Sequence, residues 1–264
     1  MMIQAKKSFG QNFLINQEIQ KSIVNVANIE EKDVIEIGPG QGALTDILAQ
    51  KVKTLVAYEL DPRLYEYLQT KNYPNNVKIL NKDFLAANFQ EIAAKNITII
   101  GNIPYNITSP ILFKILENHL IVDSATLMVQ KEVAERLVAL PLSKVYGKLS
   151  ATFQIFSNVE KILDVDAQQF NPAPKVNSAV IKLNFYHKND FININKDQII
   201  KFVAICFQFK RKTLLNNLLN HYSKDAILAA LSKLNLNIAI RAENLNKQTI
   251  LELFTILENK KMPA

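Results

Sequence analysis

The stretch Asn102-Ile103-Pro104-Tyr105 follows directly on the apolar run Ile97-Thr98-Ile99-Ile100-Gly101. The run is short, apolar and β-branched, which is how a strand buried on both faces of a parallel sheet reads. A helix start is expected at once, with Ser109 as N-cap and Pro110 in the first helical position. In an open α/β sheet, strand, polar elbow and helix in this order put the tetrapeptide at the carboxyl edge, where ligands bind. Asn102 supplies a carbonyl acceptor, Pro104 fixes φ so that the neighbouring carbonyl of Ile103 can point at the same group, and Tyr105 offers a stacking face. Together they suit a planar base held by its amino edge. The plainer reading is a proline turn that closes a strand.

Outward from this stretch the chain alternates between two periods. Strands are expected over 33–37, 54–58, 77–80, 97–101 and 125–129, with helices between them over 43–50, 62–70, 90–95 and 110–117. Asn16 caps an earlier helix whose Ile19, Ile23, Val24 and Ala27 share a face, and Asn88 and Glu91 are spaced like a capping box. Strands alternating with helices imply a parallel, doubly wound sheet. After helices over 131–139 and 147–157, two apolar runs at 159–165 and 177–185 read as strands that pair with each other, giving about seven in all. Residues 186–195 are polar and read as a linker; beyond them only helices are expected, over 197–209, 213–221, 225–234 and 248–257. The expectation is an α/β domain over 1–187 and a small all-helical domain over 188–264. No internal repeat is visible.

Three of the six glycines fall in Gly38-Pro39-Gly40-Gln41-Gly42, directly after the first of those strands. Glycines here let backbone approach a ligand at a helix N-terminus. Gly38-x-Gly40-x-x-Ala43, with Glu59 at the end of the next strand, fits a loop for an adenosine-containing cofactor without choosing between NAD and S-adenosylmethionine. Glu59 can accept ribose hydroxyls, and Asp83, after the third strand, an adenine amino group. Each of these side chains alone reads more readily as a helix cap; Glu59, Asp83 and Asn102 in register on one sheet edge favour a binding site.

Charge adds a second theme. Of the net +7, residues 1–187 carry 19 Lys+Arg against 18 Asp+Glu, while residues 188–264 carry 12 against 6. The excess suits a polyanion, nucleic acid first, against the alternative of a solvated basic face. Lys210, Arg211 and Lys212 are adjacent, so at least two should project outward. The one cysteine, Cys206, reads as core packing, and three scattered histidines offer no zinc site. No apolar run approaches the ~18 residues of a membrane span, and the first seven residues lack the apolar segment of a secretory signal. A cytoplasmic protein is expected.

The residues Lys7-Ser8-Phe9-Gly10-Gln11-Asn12-Phe13-Leu14, the loop 36–45, Tyr58-Glu59-Leu60-Asp61, Asn102–Tyr105, Met128–Val133, Phe170-x-Pro172-x-Pro174-Lys175-Val176-x-Ser178 and Lys210–Leu214 together resemble the ribosomal RNA adenine dimethyltransferase family, the KsgA group, close kin of the Erm methyltransferases. The resemblance runs nearly the whole length. It implies a Rossmann-like class I methyltransferase sheet, S-adenosyl-L-methionine as cofactor, and two methyl groups added to the 6-amino nitrogen of adenosines in small-subunit ribosomal RNA, free or in a pre-subunit, by a monomer. It assigns Asn12, Leu14, Gly38, Gly40, Glu59, Asp83 and Asn102 to the cofactor. Asn102, Ile103, Pro104 and Tyr105 become the target-adenine clamp, with Phe170 able to sandwich the base against Tyr105 or to serve as an ordinary core aromatic. Lys210, Arg211 and Lys212 go to RNA. Ile103 stands where the KsgA group usually has Leu and Erm proteins commonly have Ile, and Leu215 stands where KsgA proteins often show Arg. Arg211-Lys212-Thr213 and Arg241–Leu245 match the KsgA group. The alternatives are an Erm-type activity on large-subunit RNA and a non-catalytic ribosome assembly factor.

Overall fold

The computed structural model describes residues 3–6, 9–89, 96–186 and 195–258. The helix expected over 90–95 with Glu91 of its capping box, Lys7 and Ser8 of the arm, and most of the expected linker lie outside these residues.

The first compact unit comprises Met1–Ala134 and Ser157–His187. Numbered in chain order, its strands are β1 (Phe13–Leu14), β2 (Asp33–Ile37), β3 (Thr54–Tyr58), β4 (Val77–Leu80), β5 (Ile97–Asn102), β6 (Val122–Gln130), β7 (Ser157–Val165), β8 (Phe170–Asn171) and β9 (Ser178–Phe185). Seven of them form one sheet in the order β4-β3-β2-β5-β6-β9-β7, parallel from β4 to β6 and antiparallel at β9 and β7. This is the Rossmann-like sheet that the sequence implies. Ile35, Ile37, Ile99 and Ile100 are almost wholly buried, as strands covered on both faces require. The chain winds from β2 outward through β3 and β4, then returns to lay β5 on the other side of β2. That reversal opens a crevice at the carboxyl ends of β2 and β5, where Gly38 and Asn102 stand.

Local chemistry fixes the helices that frame the crevice. In α1 (Gln17–Ala27), the Asn16 side chain accepts from the backbone N–H groups of Glu18 and Ile19, and Ile23, Val24 and Ala27 are buried. Helix α2 is only Thr45–Leu48, shorter than the eight residues expected. In α3 (Pro62–Gln69), Asp61 caps and Pro62 takes the first position. Helix α4 (Thr108–Glu117) corrects one expectation: Ser109 is not its cap. A 3-10 turn, Tyr105–Ile107, carries the chain straight from the elbow into the helix, so the helix begins before Ser109. Pro110 still lies within the first turn, where its missing N–H costs nothing. The arm contains a strand the sequence did not suggest: β1 pairs antiparallel with β8.

The second unit comprises Glu135–Phe156 and Lys188–Ala264, so a segment from before β7 joins the tail. Helices α6 (Lys148–Phe156), α7 (Lys196–Cys206), α8 (Leu214–Leu218), α9 (Lys224–Lys233) and α10 (Lys247–Glu258) share an apolar core with Tyr146, Phe202, Leu231 and Phe254. Helix α5 (Lys131–Val138) follows β6 in the chain and contains the boundary between the two units. Cys206 is fully buried in the second core, and burial pushes its thiol pKa up, which makes it inert packing. No helix among the described residues is long and apolar enough to cross a membrane.

Gly101 shows how tightly the crevice is built. A Cβ there would lie 2.7 Å from the Ile37 carbonyl oxygen, a backbone atom that cannot step aside alone. Gly101→Ala should therefore push β5 from β2, lowering the thermal midpoint in a circular dichroism melt by several degrees, the scale of a ~1–3 kcal/mol overpacking cost.

Candidate functional site

Beneath the carboxyl edge lies a cavity of about 220 Å³ whose wall includes Asn12, Gly38, Glu59, Asp83, Asn102 and Tyr105. Residues from five separate parts of the chain meet there because β2, β3, β4 and β5 all end at this edge and the arm returns over it. Ile103 and Pro104 also line it, so the whole tetrapeptide faces one space.

Glu59 organises the floor. Its side chain is buried, and Oε2 accepts from Gly40 N–H at 2.9 Å while Oε1 accepts from Asp61 N–H at 2.8 Å. Burial raises its pKa and these backbone donors pull it back down; burial wins. Gly38 and Gly40 have φ of 64° and 60°, in the left-handed region, so glycine suits the turn that brings Gly40 N–H to the carboxylate. Asp83 uses Oδ1 to cap its own 3-10 turn through Leu85 N–H at 2.8 Å, which leaves Oδ2 for a partner.

Asn102 has its orientation set by the arm. Its Nδ2 donates to the Asn12 carbonyl at 2.9 Å. A carbonyl can only accept, so the amide must present nitrogen there and keep Oδ1 as its acceptor. Asn12 in turn donates from Nδ2 to the Gly10 carbonyl at 3.2 Å. Tyr105 shares a short hydrogen bond between its hydroxyl and Ser178 Oγ, at the start of β9. Burial raises the Tyr105 pKa despite that bond, so the phenol is neutral at physiological pH.

A larger cavity, about 470 Å³, shares Phe13, Gly38, Gly40 and Asn102 with the first. Leu14 lines this one and not the smaller. Glu36, 1% exposed, also borders it and accepts from Thr45 Oγ1 at 2.8 Å. Burial pushes its pKa up to about 8, with Thr45 opposing and the carboxylates of Asp46 and Glu59 adding to the rise.

Two predicted residue sets lie elsewhere. Phe170 is 3% exposed and packs in the apolar core with Leu14, Met128 and Val180, lining neither cavity. The pairing of Leu14 with Phe170 across β1 and β8 holds it there, so of the two readings its position is that of a core aromatic. Lys210, Arg211 and Lys212 are all exposed, in a turn between α7 and α8.

Sequence reasoning missed a clasp that fixes the arm. Gln11 Nε2 donates to Asp61 Oδ2 at 3.0 Å, and Arg63 Nη2 meets the same oxygen at 2.6 Å. Burial would raise the Asp61 pKa, but the hydrogen bonds from Arg63 and Gln11 outweigh it and hold the carboxyl low. Gln41 Nε2 adds a bond to the Ile3 carbonyl at 2.9 Å. In the sequence Asp61 stands only within the motif Tyr58-Glu59-Leu60-Asp61, and nothing local marks its partner fifty residues away. Phe13 borders both cavities, although the sequence marks it only as part of the arm motif. Among the described residues no cluster of His, Cys, Asp and Glu could hold a metal.

The model of the ribosomal RNA adenine dimethylase family matches residues 2–259. Ribosomal RNA small subunit methyltransferase A of Metamycoplasma arthritidis is 49% identical over 261 residues, 99% of each chain. The protein of that name from Mycoplasmopsis pulmonis is 44% identical, over 96% of this chain and 98% of its own. A dimethyladenosine transferase from Plasmodium falciparum superposes with TM-score 0.80 at 30% identity, covering 91% of this chain and 95% of that one. The 23S rRNA methyltransferase ErmE gives TM-score 0.74 at 28% identity, over 94% and 100%.

The raised Glu36 pKa has a definite consequence for stability. Unfolded, the group titrates near 4.5; folded, near 8, so the native state holds the extra proton in that window. Stability contributed by neutral Glu36 is lost as pH rises from the lower value to the higher. Glu36→Gln removes the titration, so the variant's thermal midpoint should gain on wild type between pH 5 and pH 9, by melts across that range.

Proposed function

The chain belongs to the ribosomal RNA adenine dimethylase family, and on that premise we propose how its residues divide the work. It is an S-adenosylmethionine-dependent methyltransferase that dimethylates adenine in ribosomal RNA. The substrate is small-subunit ribosomal RNA, a reading supported by the names of the curated relatives.

The residues present fit the cofactor. Gly38 and Gly40 hold backbone at the cavity in a conformation other residues rarely adopt, Glu59 offers a buried carboxylate, and Asp83 keeps one oxygen uncommitted. Glu59 would accept from ribose hydroxyls, Asp83 from the adenine amino group, and Asn12, Leu14, Gly38, Gly40 and Asn102 would line the remainder. When bound, S-adenosylmethionine supplies an electrophilic methyl on a sulfonium.

The substrate amine is a poor nucleophile because its lone pair is delocalised into the ring. Asn102 Oδ1 and the Ile103 carbonyl would accept its two N–H groups, drawing nitrogen toward tetrahedral geometry and aiming the lone pair at the methyl. Pro104, at φ −61°, freezes the elbow that sets these acceptors. Tyr105 would cover one face of the base, held by Ser178. Catalysis is then alignment and electrostatics, with orientation worth up to ~7–11 kcal/mol in favourable cases. The observation that carries this reading is the Asn102 amide, pinned by Asn12 with its oxygen left to accept. Radiolabelled methyl transfer to unmethylated RNA from each isolated subunit tests it: label confined to large-subunit RNA would favour the Erm-type activity, and none on either would favour an assembly factor.

Asn102→Ala should cut methyl transfer by at least about a hundredfold, the scale of one lost catalytic hydrogen bond. RNA affinity, read by filter binding, should stay near wild type. The second unit would grip RNA through Lys210, Arg211 and Lys212. Changing all three to Ala should weaken RNA binding and flatten its salt dependence by up to ~0.7–0.9 of a log-log unit per lost phosphate contact, with cofactor affinity by calorimetry unchanged.

A further inference from the structure

Within the second unit two loops meet, and both present apolar side chains to solvent. One, between α5 and α6, exposes Leu140 (71%), Leu142 (75%) and Val145 (47%). The other, between α7 and α8, exposes Phe209 (52%) next to Lys210, Arg211 and Lys212. They are joined: Lys210 Nζ donates to the Lys144 carbonyl at 3.1 Å, and the Tyr146 and Phe207 rings meet edge to face with centroids 5.9 Å apart.

Neither loop is slack. Tyr146 is buried and donates its hydroxyl to the Leu245 carbonyl at 2.9 Å, and Leu142 N–H donates to the Glu243 carbonyl at 2.9 Å. The buried Asn217 closes the other loop, accepting from Phe209 N–H at 3.1 Å and donating to the Cys206 carbonyl at 2.8 Å. Leu142 sits at φ 72°, a left-handed conformation that a bulky residue enters only under constraint. A single exposed leucine is ordinary. A leucine that is both exposed and strained, on a pinned loop beside a second exposed apolar loop, contributes nothing to folding by standing there.

We infer that these two loops form one docking surface for the ribosomal RNA substrate, with the apolar side chains packing on unstacked bases and the adjoining cations on phosphates. The inference rests on the ribosomal RNA reading above. Charge selects the occupant: the second unit carries 15 Lys+Arg against 7 Asp+Glu, whereas the first carries 16 against 17. Exposed cations beside exposed apolar side chains match single-stranded or looped RNA, whose bases are apolar-faced and whose backbone is anionic.

The test uses Leu142→Gly and Phe209→Ser, singly and combined, with filter binding to deproteinised, unmethylated small-subunit ribosomal RNA over a range of salt. Leu142→Gly should melt at or above wild type, because glycine relieves the left-handed backbone. The combined variant should bind RNA roughly tenfold more weakly at every salt concentration, the scale of a lost base stack. Its log-log slope should match wild type, because apolar contacts release no counterions, whereas the triple-alanine variant changes the slope. Wild-type affinity in the combined variant overturns the inference. Loss of binding to assembled small-subunit particles with naked RNA binding intact also overturns it, assigning the surface to a ribosomal protein. Absence of salt-dependent RNA binding by the unaltered protein would remove the underlying reading, and this inference with it.

Discussion

The carboxylate of Glu59 is the constraint on which the crevice depends. A charge buried this far is tolerable only when its oxygens are met by donors, and here both donors are backbone: Gly40 N–H from the glycine loop and Asp61 N–H from the start of α3. One side chain thus ties the end of β2 to the end of β3. The loop can come close enough to donate because Gly38 and Gly40 take left-handed backbone. Asp61 extends the tie to the arm through Gln11 and Arg63, and the arm fixes Asn102 through Asn12. Four pieces of chain that are remote in sequence are therefore held to one another by polar contacts around a single cavity.

What the sequence disclosed follows from how local each signal is. The five parallel strands are near-continuous apolar runs, and all five emerged at their expected places with small shifts at the ends. The glycine loop, Glu59, Asp83 and the elbow at Asn102 were legible because a strand end followed by a special residue is itself a local pattern. Contacts between distant residues were not. β1 and β8 are two residues each, too short for any alternation, and only their meeting makes them strands. That meeting also buries Phe170, whose fate no neighbouring residue could reveal. Ser109 looked like a cap because Ser-Pro is a common helix entry, but the 3-10 turn ahead of it had already started the helix. Residues 135–156 read by continuity as helices of the α/β domain, while their apolar side chains, Tyr146 and Ile155 among them, belong to the helical core.

The division of charge sharpens once the compact units replace the linear boundary. The first unit is nearly neutral, and its cavity works with backbone dipoles, amides and buried carboxylates. The second holds the whole net positive charge, and its three adjacent cations are exposed in a turn, away from any core. Separate electrostatics suit a cofactor read by short-range hydrogen bonds and a polymer gathered by long-range attraction, since salt screens the second far more than the first.

The titratable groups around the small cavity also bear on where the substrate's proton goes. Glu59 has both oxygens on backbone donors, and Asp83 spends one oxygen on its own turn. Tyr105 stays neutral, because burial raises its pKa, and is bonded to Ser178. None of these three is poised as a strong general base beside Asn102. The chemistry does not ask for one. Methylating the amine makes a cationic nitrogen far more acidic than the starting group, so its proton passes to water without assistance. What the reaction requires is a lone pair brought out of conjugation and aimed, and that needs acceptors held in fixed directions. An amide orientation locked by Asn12 and a carbonyl locked by Pro104 meet that requirement with neutral groups. Neutral acceptors have a further merit: they stay acceptors across the pH range, whereas a carboxylate in the same place would lose that capacity on protonation.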